Sequence, residues 1–329
     1  MMEAAMLLAA LALDLAFGDP PTALHPVGWM GRLVSWLERL APRGTCSPRR
    51  HGGATVSGGE ATKGRLSQLL YGALMPLFGL IVFALPAWAL MAVLREASPV
   101  AYFILGTLLL KSTFSIRGLL RAAGEVRRAL QEGQIERARA ALRSLVSRNT
   151  TALDEPLLAA ATVESVAENT GDSFVAPVFY FLLLGVPGAL AYRMINTFDS
   201  MVGYHGQYEY LGKASARLDD LANLVPARLA GLLLVAASAL VSRTGVPAWK
   251  AMWRYHGATE SPNAGWPMSA MAGALGVSLV KAGHYTLGDS SSAPSIEKVD
   301  RANKTALVAV LMMAALGAVI EVLRYAYLS

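Results

Sequence analysis

The chain is poor in charge and nearly without cysteine. Of its 329 residues only 16% are Asp, Glu, Lys or Arg, against roughly 25% in soluble globular domains. The single cysteine, Cys46, can close no internal disulfide and belongs to no zinc-type cluster. There is no GxxxxGK[ST] phosphate loop, no GxGxxG, and no GxSxG, HExxH or CxxC. The histidines at 25, 51, 205, 256 and 284 form no i, i+4 pair, and no five basic residues run together. These absences exclude a disulfide scaffold, a chain disordered throughout and a protein with a basic nucleic-acid-binding arm. The net charge of +6 is therefore assigned to loops at a membrane surface, and no nucleic-acid partner is expected.

What replaces charge is apolar sequence. Hydrophobic residues make up 54% of the chain, and mean hydropathy is +0.42. Residues 69–94 carry no charge, enough to cross a hydrocarbon core of about 30 Å at about 1.5 Å per helical residue. Residues 100–110 follow after Arg95, Glu96 and Pro99, so 69–110 reads as a helical hairpin. Further uncharged stretches lie at 4–13, 174–192, 229–242, 264–280 and 306–320. Several are shorter than the ~17–25 residues of a spanning helix, so four to seven crossings are expected. The N-terminal stretch has no basic flank, and a cleaved signal peptide is not expected. The fold class read from this pattern is all-α: a polytopic integral membrane bundle, one catalytic domain over 1–329. Residues 43–65, rich in Gly, Ser, Thr and Arg, read as a flexible loop. Residues 111–172 read as a polar, helical, cytoplasmic region carrying nine Lys/Arg.

Chemistry-bearing residues gather at the ends of the apolar stretches. Asp14, Asp19 and His25 flank Pro20, Pro21 and Pro26. Glu164 and Glu168 are four apart on one helix face, with Asn169 beside them and Asp172 continuing the line. Like charges at that spacing repel, and a metal ion or a cationic substrate would relieve them. Asn196 and Asp199 precede Arg217, Asp219, Asp220 and Arg228. Guanidinium forks suit phosphate, and aspartate oxygens suit Mg²⁺. Ser261-Pro262-Asn263 begins a turn whose Asn263 is a ligand-reading candidate.

In order, GDPPTALHPV, DEPLLAAATVESVAEN, NTFDSMVGY, SARLDDLANLVPAR and SPNAGWP resemble the adenosylcobinamide-phosphate synthases, the CbiB/CobD family of cobalamin biosynthesis, over roughly residues 7–305. Asn149, Ser290 and the 43–65 stretch depart from the family pattern. The resemblance implies a membrane enzyme that joins adenosylcobyric acid to (R)-1-aminopropan-2-ol O-phosphate through an amide bond, with ATP and Mg²⁺ and no tightly bound prosthetic group. The implied surroundings are the bilayer of the cell (inner) membrane, with the site on its cytoplasmic side, and other membrane enzymes of the pathway.

A carboxylate needs activation before an amine will displace oxygen from it, and phosphorylation by ATP supplies that activation. Residue type and spacing assign Asp199, Asp219 and Asp220 to Mg²⁺, Arg217 and Arg228 to phosphate, and Glu164 or Glu168 to the amine as binder or base. His25 is a further base candidate; Asp19, Asn169, Asn196 and Asn263 are substrate-binding candidates. A transporter or scaffold for corrinoid intermediates is the rival reading, but no internal repeat is visible. One difficulty is topological. If 174–192 crosses the bilayer once, Glu168 and Asp199 end on opposite sides. Pro187 and the glycines at 185 and 188 instead predict a re-entrant hairpin, tolerated at membrane depth only when buried in protein. The same difficulty attends 229–242 and the SPNAGWP turn.

Overall fold

The computed structural model describes residues 1–42 and 58–328 except 147, 205, 207, 282, 290, 291 and 293. Among them are thirteen α-helices and one two-stranded hairpin. Five helical stretches are long and apolar enough to cross a membrane, at Gly64–Ala97, Pro99–Gln131, Glu155–Val202, Leu224–Ser242 and Ile296–Tyr327. The protein is an all-α polytopic membrane bundle. Most of the 43–65 stretch lies outside the described residues; from Gly58 the chain is already helical.

Helix α1 (Met2–Phe17) packs against α4 (Pro99–Lys111) and α13 (Ile296–Leu328). Between α1 and α4 come α2 (Pro26–Leu40) and the long α3 (Gly58–Ala97). Proline at the first turn starts α2 and α4, where its missing N–H costs nothing. The His25 ring accepts from Val27 N at 3.1 Å, and Ser98 Oγ from Ala101 N at 3.3 Å. Ser98 thus turns α3 into α4, the hairpin expected over 69–110. Along α3, Leu70, Leu74, Leu77, Ile81, Leu85 and Trp88 are exposed at helical spacing, and Leu316, Val319 and Leu323 repeat this on α13. Such stripes are an aggregation hazard in water and the expected surface in lipid.

The polar region folds as α5 (Ile116–Gln131), α6 (Ile135–Leu142) and α7 (Glu155–Thr170). Helix α7 continues through one π turn, Gly171–Val175, into α8 (Ala176–Val202). Helix α8 is not straight. Gly185 has φ 70° and ψ −162°, a region open essentially only to glycine, and Pro187 follows. The Tyr180 and Tyr192 rings stack 5.3 Å apart, although twelve residues of straight helix would separate them by about 18 Å. The chain therefore folds back at Gly185, as the glycines and Pro187 predict. Residues 172–184 span about 20 Å, short of a hydrocarbon core. Arg324 holds the tip by donating to Leu182 O. Around the tip lie Glu3, Arg95, Glu96 and Glu321, so the bundle has a second charged end.

The second topological difficulty has the same solution. Helix α9 (Lys213–Ala222) leads into α10 (Leu224–Ser242), which reverses at Arg243, a left-handed residue with φ 57°, into α11 (Gly245–Tyr255). Gly245 lies against Ala239, and Gly231 against Met252 and the Trp266 backbone. The turn before α12 (Gly265–Leu275) is thereby returned to the first turns of α10. The apolar 264–280 stretch is not one helix: Gly276 ends α12 with φ 63°, and β1 (Leu279–Lys281) pairs with β2 (Tyr285–Leu287), Lys281 opposite Tyr285.

Candidate functional site

The reversals at Gly185 and Arg243 bring distant segments to one cavity of about 400 Å³. Helix α7 and its π turn supply Glu168 and Asp172, α8 supplies Asp199, and α9 supplies Asp219 and Asp220. The α11–α12 turn adds Asn263, and the β-hairpin adds Lys281 and Tyr285. A π turn re-aims side chains that an unbroken α-helix would stack in line. Glu168 and Asp172 open on this cavity. Glu164, one turn earlier, opens on a smaller one of about 210 Å³ that shares Glu168, Lys281 and Tyr285 with the first.

The carboxylates fall into two kinds. Asp219 is held, accepting from Asn223 Nδ2 at 2.9 Å and Asn196 Nδ2 at 3.3 Å. Asn223 in turn accepts from the Tyr192 hydroxyl at 2.9 Å. Asp220 accepts from Ser261 at 3.3 Å, and its carbonyl takes Asn263 Nδ2 at 2.7 Å. Glu168, Asp172 and Asp199 have no hydrogen-bond or ion-pair partner among the described residues, yet each lies in the field of the other two or of Asp219. Burial pushes the Asp219 carboxyl above the ordinary aspartate range, against the hydrogen bonds from Asn223 and Asn196. Negative charge accumulated without partners is what a cationic ligand relieves.

For Mg²⁺ the donor chemistry fits: oxygen ligands, all carboxylate or amide. Among the described residues no three His, Cys, Asp or Glu side chains converge on one point. Mg²⁺ is commonly held by one or two carboxylates, its shell completed by water and substrate phosphate. Asp199, Asp219 and Asp220, the residues expected to hold Mg²⁺, all line the larger cavity, but they do not form a ready-made metal site.

Other candidates lie elsewhere. Arg217, expected to contact phosphate, is exposed on α9 and lines neither cavity. Arg228 stacks on Trp266 with 4.9 Å to the ring centroid and reaches Asn263 Oδ1 at 3.3 Å, which makes it a brace for the turn. Asn169 bonds along its own helix to Ser165 and Ser173. His25 and Asp19 form a separate cluster. Lys111 Nζ lies 2.5 Å from Asp19 and 3.3 Å from the fully buried Asp14. Asp14 accepts from Ile116 N and Arg117 N, so it caps α5 from a remote helix. Burial would raise the Asp19 carboxyl, but hydrogen bonds from His25, Lys111 and Ser115 hold it well below the usual carboxylate range. The cluster's polar groups are engaged with each other, and neither His25 nor Asp19 lines either of the two cavities above. Arg193 stands between the groups, in the field of both Asp19 and Asp172.

Sequence reasoning passed over Arg148, Lys281 and Tyr285. Arg148 Nη2 pairs with Glu164 Oε2 at 2.8 Å. Lys281 lines both cavities without an ion-pair partner among the described residues, its ammonium 5.8 Å from the Tyr285 ring centroid. Burial beside Glu164 and Glu168 pushes the Tyr285 phenol up. The one signal was a lysine closing an apolar run.

Comparison with known proteins gives a consistent set. The profile of the family described as CobD/Cbib protein matches residues 7–314. Cobalamin biosynthesis protein CobD of Dehalococcoides mccartyi (strain CBDB1) is 48% identical over 282 residues, 86% of this chain and 85% of that one. A probable cobalamin biosynthesis protein CobD of Methanothermobacter thermautotrophicus is 37% identical over 325 residues, 98% of this chain and 100% of the other. Cobalamin biosynthesis protein CbiB of Salmonella typhi is 35% identical over 316 residues, 93% and 94% of the two chains. No solved structure matches.

Proposed function

The chain belongs to the CobD/CbiB family of cobalamin biosynthesis, and we propose that it closes the amide bond between adenosylcobyric acid and (R)-1-aminopropan-2-ol O-phosphate. The observation that carries this reading is the cavity in which Glu168, Asp172 and Asp199 stand without partners beside the bonded Asp219 and Asp220. An amine substrate arrives as an ammonium ion and needs carboxylates to hold it and then to take its proton. A corrin macrocycle does not fit in about 400 Å³, so only the reacting propionate arm enters and the ring remains at the mouth.

Mg²⁺ and ATP would supply activation, converting the propionate into an acyl phosphate with loss of ADP. Asp199, Asp219 and Asp220 are the residues that would hold such an ion, which would supply charge neutralisation for the phosphate. Glu168 orients the ammonium and accepts its proton as nitrogen attacks the carbonyl and inorganic phosphate leaves. The hairpin arms and the α11–α12 turn exclude water, which would otherwise hydrolyse the activated acid. The face is assigned to the cytoplasm of the cell membrane because the nine Lys/Arg of 111–172 belong to it.

The test is direct. Purified protein in detergent or vesicles is incubated with adenosylcobyric acid, aminopropanol phosphate, ATP and Mg²⁺. Amide product with one phosphate released per turnover supports the reading. Corrinoid bound without product overturns it and favours a carrier or scaffold.

A further inference from the structure

Two adjacent cavities of unequal size, sharing Glu168, Lys281 and Tyr285 in their walls, imply a division of labour. The smaller, about 210 Å³, is walled by Arg148, Glu164, Ser165, Glu168, Lys281 and Tyr285. Its size is below the ~300 Å³ at which drug-sized ligand sites begin, so it suits a ligand of few atoms. Its charge is mixed in a specific way. Arg148 and Lys281 are the cations: Arg148 is held by its 2.8 Å contact to Glu164, and Lys281 is carried by the short β-hairpin. Glu164 is only 5% exposed; its Oε2 is taken by Arg148, and its Oε1 is buried, with the Tyr285 phenol as the neighbouring donor. A buried carboxylate oxygen left bare costs about 1–3 kcal/mol unless something supplies a donor. Glu168 stands on the wall between the two cavities.

We propose that the smaller cavity is the binding site for a short phosphoamine, with Arg148 and Lys281 on its phosphate and Glu164 and Glu168 on its ammonium group. Resting on the amide-forming function above, the proposal relocates the phosphate contact from Arg217 and Arg228 to a pair of cations that line the site. It orders the site as well. The phosphate end is sunk beside Arg148, and the amine points across Glu168 into the larger cavity, where the activated acid arrives. The phosphate is then a handle: it fixes the amine at the wall shared with the larger cavity and takes no part in the bond made. An amino alcohol without phosphate would leave Lys281 unanswered and bind poorly.

The experiment measures binding of aminopropanol phosphate alone, without ATP or corrinoid, by calorimetry or by ³¹P line width, in wild type, Lys281→Met and Arg148→Met. Unphosphorylated aminopropanol and inorganic phosphate are the comparison probes. Adenosylcobyric acid binding, read from its visible spectrum, is measured on the same samples. Lys281→Met breaks no ion pair and is the variant that keeps its fold. The expected result is a loss of roughly ten- to a hundredfold in phosphoamine affinity, the size of one charge-assisted contact, with corrinoid binding unchanged. Aminopropanol should bind weakly to all three proteins. Wild-type phosphoamine affinity in both variants overturns the proposal, as does an equal loss of corrinoid affinity, which would place a corrin side chain in the pocket instead. A wild-type protein that binds the phosphoamine through Lys281 yet forms no amide would leave this pocket standing and refute the reaction.

Discussion

Replacing Gly185 by alanine tests the feature on which the site depends. At φ 70° and ψ −162° a side chain costs on the order of 1–3 kcal/mol. Alanine also favours continued helix over glycine by about 1 kcal/mol. Both effects push the same way, so the balance between a folded-back α8 and a straight one shifts by roughly 2–4 kcal/mol. In a straight helix Asp172 and Asp199 would be about 40 Å apart; in the structure they share a cavity. The expected outcome is a thermal midpoint lowered by several degrees and amide formation reduced at least tenfold. Topology is read separately, in a Cys46→Ser background, from Ser173→Cys and Ser200→Cys labelled with an impermeant maleimide in sealed vesicles. Both positions should react from one face. A Gly185→Ala protein that melts like the wild type and turns over at full rate, or labels that report opposite faces, refutes the reasoning.

Other outcomes follow from the same geometry. Glu168→Ala and Asp219→Ala should each lose at least a hundredfold in turnover while membrane insertion and yield are kept; normal turnover in both rejects the assigned roles. Lys111→Met leaves Asp14 buried without its ion pair and should destabilise by about 3–5 kcal/mol, with Asp14→Asn in the same chain restoring part of the loss in a thermal melt. Arg217→Ala, on an exposed side chain, should stay within about 0.5 kcal/mol of wild-type stability and keep its KM for aminopropanol phosphate. Because burial raises the Asp219 carboxyl, the native state holds that proton more tightly than the unfolded chain does. Its contribution to stability is therefore complete at low pH and fades as pH rises through the native titration. Mg²⁺ should offset the fading, so the midpoint gained on adding Mg²⁺ should grow with pH; a gain flat across pH removes Asp219 from the ion.

The spans were legible because lipid imposes long uncharged runs, and 69–94 shows one plainly. The fold-back at Gly185 was legible for a different reason. Charged blocks on both sides of one apolar stretch could share a site only if the chain turned, and glycine and proline stood where a turn would go. What sequence pattern hid was three-dimensional pairing. Lys281 and Tyr285 sit on a hairpin of two three-residue strands whose apolar neighbours continue a helical-looking run, so nothing local separates them from α12. His25 and Asp19 looked reactive because polar groups near apolar sequence demand an explanation. Lys111, ninety-two residues from Asp19, supplies it. Arg217 and Arg228 lie on adjoining helices, yet one faces outward and the other is stacked on Trp266. Sequence spacing alone does not separate them, because the boundary between α9 and α10 at Asn223 changes which way each helix faces.

The tyrosines of the hairpin set the timetable of biogenesis. Tyr180 donates to Ala222 O and Tyr192 to Asn223 Oδ1, and Arg324, near the C-terminal end of α13, grips Leu182 O. Ala222, Asn223 and Arg324 are all synthesised after residues 172–199. The growing chain must keep an unfinished loop of acids beside the bilayer until its last helix arrives. Assembly of the reactive centre is thus a closing act of synthesis, and chains stalled before Arg324 would carry every carboxylate and still lack the clasp.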